Sequence, residues 1–292
     1  MSTPKRWFVL SVRTREEGSP AHELLPEAVG RAGGNGAVED GEGGLLTYFP
    51  DPEDPELLLE EVRRELEAYT GTSALDLSWR WQEHEAWADA WREGFKPRRV
   101  TDRLVVAPSW TEPEVRAGDL VLTLDPGMAF GTAEHPTTRG CLRLLDRTVE
   151  EGSRWADLGA GSGILAIAAV RLGARAVTAV ESDLLACTTA HENLQRNAVE
   201  EAVEILGEEV TPGLLDRLGP FDGIVANIEW GILMPLVPAL RGALVPEGRL
   251  ILSGILDHEA PSVQEDAGAA DLELIDEDRE ETWWSGLFIA KG

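Results

Sequence analysis

Apolar positions in the first eighty residues fall into short blocks with two different periods. RWFVLSV (Arg6–Val12) is an apolar run of strand length, and PAHELLPEAVGRAG (Pro20–Gly33) reads as a short helix that stops at glycines. The glycine-rich stretch Asp40–Gly44 reads as a hairpin turn leading into LLTYF. DPEDPELLLEEVRRELEAY (Asp51–Tyr69) predicts a strong helix: Asp51 or Asp54 can cap it, Pro55 suits its first turn, and its leucines recur at helical spacing. LDLSWRWQ (Leu75–Gln82) alternates as a strand. The order β-α-β-β-α-β predicts a ferredoxin-like α+β domain over residues 1–82. No catalytic constellation falls within it, which suits a recognition or structural module.

A linker helix is predicted over residues 83–99, ended by Gly94 and Pro97, and Trp79, Trp81, Trp87 and Trp91 crowd this region. Aromatics so placed suit an interdomain seam. Over residues 100–292 strand patterns alternate with helical ones. RWADLG, AVTAVE, VEIL, FDGIVAN and GRLILSG are strands, and ILAIAAVRLG, LLACTTAHENLQRN, GILMPLVPALRGAL and HEAPSVQEDAGA are helices. This alternation predicts a doubly wound, Rossmann-like α/β domain. LELIDE and GLFIA follow with no convincing helix between them, which predicts an antiparallel hairpin at one edge of the sheet.

Composition narrows the function classes. The chain has 292 residues, a length that suits two domains, and 43% of them are hydrophobic, enough for packed cores. No apolar run reaches the ~18 residues of a membrane span, and no signal peptide is visible in MSTPKRWFVLSV. Cys141 and Cys187 are isolated and offer no metal-ligand spacing, so the expectation is a reduced, cytoplasmic protein without a metal site. Acidic residues number 53 against 26 basic ones, a formal charge of −27. Such a surface repels nucleic acid backbones and would attract a basic partner protein, but because the acid is spread along the chain it suits general solubility or adaptation to salt even better.

The candidate chemistry lies in the second domain. DLGAGSG (Asp157–Gly163) follows a strand and opens a helix, where α/β folds bind nucleotide-like ligands. Gly159, Gly161 and Gly163 give a GxGxG spacing. Ile164 stands where a dinucleotide fingerprint needs its third glycine, and no Lys-Ser or Lys-Thr follows for a nucleoside triphosphate. Glu181, at the tip of the next strand, is placed to accept hydrogen bonds from ribose hydroxyls; Asp183 can do the same or cap the following helix. Glycine loop, acid and edge hairpin together point to S-adenosylmethionine (SAM). Asn227 ends the fourth strand, where a side-chain amide can orient an incoming amine toward a methyl group or cap the next helix. DPGMAFGTAEHPTT (Asp125–Thr138), rich in glycine, proline and small hydrogen-bonding side chains, has the composition of a ligand-enclosing loop.

DPGMAFGTAEHPTT, DLGAGSGILAIAAVRLGA, VANI and LILSGIL, in this order, closely resemble the ribosomal protein L-eleven (L11) methyltransferase family, and FKPRRVTDRLVVAPSW resembles the segment before its catalytic core. The similarity covers about residues 90–260 well. It implies an N-terminal domain that recognises the ribosomal protein, and a C-terminal domain that transfers methyl groups from SAM to lysine and N-terminal amines. Thr138, Gly159, Glu181 and Asn227 fall on the family's cofactor-contacting positions. The resemblance also implies that the 125–138 loop folds over SAM, with Phe130 covering it and Thr132, His135 and Thr138 hydrogen-bonding.

Three departures stand out. Ala133 and Glu134 replace glycine and threonine, and alanine stiffens a loop where glycine would take a positive φ. The second-strand acid lies in ESDL rather than a D-x-D-P run. NIEWGIL replaces a pattern close to N-I-L-A-G-P-L, which offers Trp230 and Glu229 as walls of an acceptor site, with packing and solvation as their alternatives. These departures leave open a methyltransferase of another protein or a small amine, and a catalytically idle SAM-fold protein that binds ribosomal components.

Overall fold

The computed structural model describes residues 6–15, 21–39, 44–52, 54–83, 96–125, 131 and 133–292. The chain divides into two compact units, Met1–Phe95 and Lys96–Gly292.

The first unit runs β1 (Arg6–Thr14), α1 (Ala21–Arg31), β2 (Asn35–Glu39), β3 (Leu45–Pro50), α2 (Pro55–Thr70) and β4 (Leu75–Glu83). Its sheet has the order β2-β3-β1-β4 with every neighbouring pair antiparallel, the arrangement of a ferredoxin-like unit. Asp54, not Asp51, caps α2: its carboxylate accepts the Glu56 and Leu57 N–H groups at 3.0 and 3.1 Å. Phe8, Leu10, Val12, Leu25, Val62, Leu66 and Leu75 form the core between sheet and helices. Trp87 and Trp91 and most of the expected linker helix lie outside the described residues, as does most of the Asp40–Gly44 turn.

The second unit opens with three strands that sequence patterning does not suggest. β5 (Arg98–Arg99), β6 (Leu104–Ala107) and β7 (Leu120–Thr123) form a small sheet of order β5-β6-β7. Each is too short to display a period of its own. The main sheet contains β8 (Arg154–Leu158), β9 (Ala176–Val180), β10 (Val203–Leu206), β11 (Phe221–Asn227), β12 (Leu244–Leu256), β13 (Leu272–Glu280) and β14 (Trp283–Ala290). Their order is β10-β9-β8-β11-β12-β14-β13. The first five in that order are parallel, while β14 runs antiparallel between β12 and β13 and gives the expected edge hairpin.

The connecting helices are α3 (Pro136–Thr148), α4 (Ile164–Leu172), α5 (Leu184–Arg196), α6 (Pro212–Leu218), α7 (Trp230–Leu233), α8 (Val237–Gly242) and α9 (Ala260–Ala269). The single helix expected over 231–244 is broken: a 3₁₀ turn at Met234–Leu236 separates α7 from α8, and Pro235 and Pro238 explain the break.

Alternation along the parallel strands fills two apolar layers. Trp155, Val177, Ala179, Val225 and Ile251 face one way, with α3 and α4 over them. Ala156, Leu158, Ile224, Ala226 and Leu252 face the other, under α8 and α9. Strand order reverses between β8 and β11, so their connections diverge and leave a crevice at the carboxyl ends of the strands.

An ion-pair ladder ties α3 to the edge strand β13. Arg139 pairs with Glu280 at 2.5 Å, Arg143 with Asp278 and Glu280 at 2.6 Å, and Arg147 with Asp276 at 2.8 Å. The spacing matches because four helical residues rise about 6 Å and two strand residues about 6.8 Å.

Candidate active site

The glycine loop is held by its own backbone. The Gly159 and Ala160 N–H groups both donate to the Val180 carbonyl, at 2.9 and 3.0 Å. Gly159 has φ 70°, and a Cβ there would come within 2.8 Å of the Ile228 side chain. Only glycine allows that approach. Ile228 is gripped from its other side by Gly254, where a Cβ would lie 2.7 Å from the Ile228 carbonyl oxygen.

Glu181 follows β9 directly. Its carboxylate accepts the Gly161 N–H and the Asp183 N–H, each at 2.9 Å, and so joins the glycine loop to the entry of α5. Asp183 is the helix cap, accepting the Leu185 N–H at 2.8 Å. Beneath the loop lies Asp157, fully buried, with one oxygen accepting the Ala166 N–H at 2.9 Å and the other unpartnered. Burial pushes its carboxyl up to about 7; the Ala166 N–H opposes this and the nearby Glu181 charge adds to it. Nothing in the glycine motif assigns Asp157 a role; its signal is a lone acid one residue before the end of a largely apolar, buried strand.

Asn227, at the end of β11, donates through Nδ2 to the Thr138 hydroxyl at 3.4 Å. Its Oδ1 is buried and has no hydrogen-bond partner among the described residues. A buried carbonyl without a donor is costly, about 1–3 kcal/mol, so this atom is a place where a ligand N–H or O–H would be favoured.

Thr138, Gly159, Gly161, Glu181 and Asn227 line one cleft of about 190 Å³, together with Gly131, Ile164, Leu165 and Ile228. A larger polar groove of about 370 Å³ lies around Glu150, Ser153, Asp222 and Glu247, at the amino ends of the strands. It holds none of the expected residues and sits at the end of the sheet that α/β folds do not use for ligands.

The ends of the 125–138 loop are tied on both sides. At its start Asp125 accepts the Ser109 N–H and hydroxyl at 2.8 Å, and its own N–H donates to Asn193 at 3.2 Å. At its middle the Ser162 hydroxyl donates to the Gly131 carbonyl. Phe130 and Thr132 lie outside the described residues. His135 serves as the cap of α3: its Nδ1 meets the Thr137 hydroxyl at 2.7 Å, and its ring packs edge-on against Trp283 at 4.9 Å. Burial, with the neighbouring Arg139 charge, holds its pKa below the usual histidine value. His135 is not among the described residues that line the cleft, and it ends the loop as the cap of α3.

The departures resolve in physical terms. Ala133 is buried in the core, and it is not among the described non-glycine residues with positive φ. Alanine therefore fits this backbone without strain, because the position does not use a conformation reserved for glycine. Glu134 pairs with Arg98 at 3.1 Å. Trp230 is only 7% exposed and packs in the apolar layer with Leu233, Leu236 and Leu252, while Glu229 faces solvent. This burial favours the packing alternative for the indole over a wall of an acceptor site. Cys141 is an inert core residue: burial pushes its thiol up to about 12.

With this geometry in hand, relatives are informative. The sequence profile of the family described as "Ribosomal protein L11 methyltransferase (PrmA)" matches residues 34–290. The chain belongs to the ribosomal protein L11 methyltransferase family. A family member from Pelotomaculum thermopropionicum is 41% identical over 248 residues, covering 85% of this chain and 79% of the relative. Another, from Chloroflexus aurantiacus, is 36% identical and covers 95% of this chain and 96% of its own. A crystal structure of "ribosomal protein L11 methylase" from Lactobacillus delbrueckii subsp. bulgaricus is similar, with a TM-score of 0.61 and 31% identity. It covers 68% of this chain and 100% of that one. The carboxyl-edge cleft thus lies in the fold of a methyltransferase family.

Proposed function

We propose that the protein binds SAM in the carboxyl-edge cleft and methylates ribosomal protein L11 on lysine side-chain and N-terminal amines. The observation that carries this reading is the pairing of two features across one cleft: an acid after β9 and an unpartnered buried amide oxygen, Asn227 Oδ1. Both fit the group. Glu181 has lone pairs beyond those used by Gly161 and Asp183, enough to accept two ribose hydroxyls. Gly159 and Gly161 let the ligand approach the loop backbone, and Ile164, Leu165 and Ile228 provide apolar cover. Thr138 steadies the Asn227 amide.

Bound SAM supplies an electrophilic methyl group on a sulfonium. Asn227 Oδ1 accepts an N–H of the incoming amine and so turns its lone pair inward. The gain comes from positioning, and the amine must arrive neutral. Trp230 takes no part. Residues 1–82 serve as the recognition domain and 100–292 as the transferase, joined by 83–99. The formal charge of −27 suits a basic protein substrate and disfavours direct reading of nucleic acid sequence. No described helix is long and apolar enough to cross a membrane, and the cytoplasm is the compartment of such a substrate.

Transfer of tritiated methyl from SAM to purified L11 tests this reading. Label on L11 supports it; label only on other proteins, or none, overturns it.

A further inference from the structure

The tip of the edge hairpin reaches back toward the cofactor cleft. Glu280 ends β13 and Trp283 begins β14, so the two flank a single turn. Each holds one side of residues 133–135, which lead into the cleft-lining Thr138. Trp283 packs on His135 at 4.9 Å. Glu280 takes Arg139 Nε at 2.9 Å and Nη2 at 2.5 Å, and Arg139 Nη1 then donates to the carbonyls of Ala133 at 3.0 Å and Glu134 at 2.5 Å. The Arg139 side chain is 8% exposed, so these bonds lie largely out of water.

We infer that Arg139, oriented by Glu280, is a positioning residue for SAM: its guanidinium fork fixes the last turn of the loop between Gly131 and Thr138. The inference rests on the proposal that SAM occupies this cleft. The fork is needed because one side chain meets two carbonyls and a carboxylate at once through separate N–H groups, which a single ammonium point charge does not reproduce. The Arg139 and Arg143 guanidiniums hold the Glu280 carboxyl down at about 2, so the clamp stays ionised at working pH. Arg147, at the far rung of the same ladder, pairs with Asp276 in an exposed position and touches no loop carbonyl among the described residues. It provides the internal control.

Calorimetry with SAM, steady-state kinetics with L11, and hydrogen exchange of the unliganded protein over residues 131–138 form the test. Arg139→Lys and Glu280→Gln should each raise the SAM Kd about tenfold. They should also raise the KM for SAM without raising that for L11, and speed amide exchange in the loop segment. Arg147→Gln should change none of these. SAM affinity within twofold of wild type in both clamp variants, with melting temperatures lowered as in Arg147→Gln, would mean a purely structural ladder and would overturn the inference. If Arg139→Lys does not fold, Glu280→Gln decides alone, since it preserves size at a position already 31% exposed. A wild-type protein that does not bind SAM overturns the cofactor reading and, with it, this inference. Wild-type binding with unaffected variants overturns the inference alone.

Discussion

Replacing Glu181 by alanine removes the only carboxylate that lines the cleft among the described residues. In the structure its two oxygens each hold one backbone N–H at 2.9 Å, from Gly161 and Asp183. The proposed cofactor adds ribose hydroxyls to the same group. A hydrogen bond to a charged partner contributes about 1.5–3 kcal/mol, so Glu181→Ala should weaken SAM binding roughly 10- to 150-fold. Glu181→Gln keeps one acceptor oxygen and should lie between wild type and alanine. The glutamine variant carries a second signature: the Glu181 charge helps raise the Asp157 carboxyl, so removing that charge should lower the Asp157 value from about 7. Calorimetric titration with SAM gives the affinities, and NAD should not compete. A Glu181→Ala protein that stays folded and binds SAM within a factor of two of wild type refutes the ribose assignment.

Four further outcomes follow from the same geometry. Asn227→Ala should lower single-turnover transfer about a hundredfold at saturating SAM, as misplacement of a reacting group does; unchanged chemistry removes Asn227 from the mechanism. Trp230→Ala should destabilise by about 3–5 kcal/mol in denaturant unfolding, leaving the distribution of methylation products unaltered under folding conditions; a changed distribution restores the acceptor-site role. Asp157, with a folded value of about 7 against ~3.9 unfolded, releases its proton first in the unfolded chain. Its cost therefore grows as pH rises from about 4 to 7 and is constant above, so the stability of Asp157→Asn relative to wild type should rise between pH 5 and 8; a pH-independent difference contradicts the burial argument. Transfer to an ordinary lysine of pKa ~10.4 should accelerate from neutral pH to about pH 9.5, and a flat chemical step argues against direct attack by such an amine.

Local signals made much of this molecule legible before its fold was known. Asp54 and Pro55, side by side, announce the start of α2, and the cap geometry follows from them. The glycine loop and Glu181 are readable because each sits at a strand end that its own apolar run marks out. Features built from distant positions were not. Arg139 and Glu280 are 141 positions apart, and nothing local marks either as half of a clamp. The capping role of His135 is set by the start of α3 at Pro136, which its motif does not announce. Trp230 illustrates the limit most clearly: which way its ring points depends on where β11 stops and how α7 turns, and neither is marked locally. The short strands β5–β7 lacked the length to show any period.

Tandem mass spectrometry of L11 after incubation with the protein and SAM tests the central claim most directly. The account predicts methyl groups on amine nitrogens, of lysine side chains and of the amino terminus, with Glu181→Ala and Asn227→Ala reducing the same modifications. Unmodified L11, or methyl groups on atoms other than amine nitrogen, would contradict it.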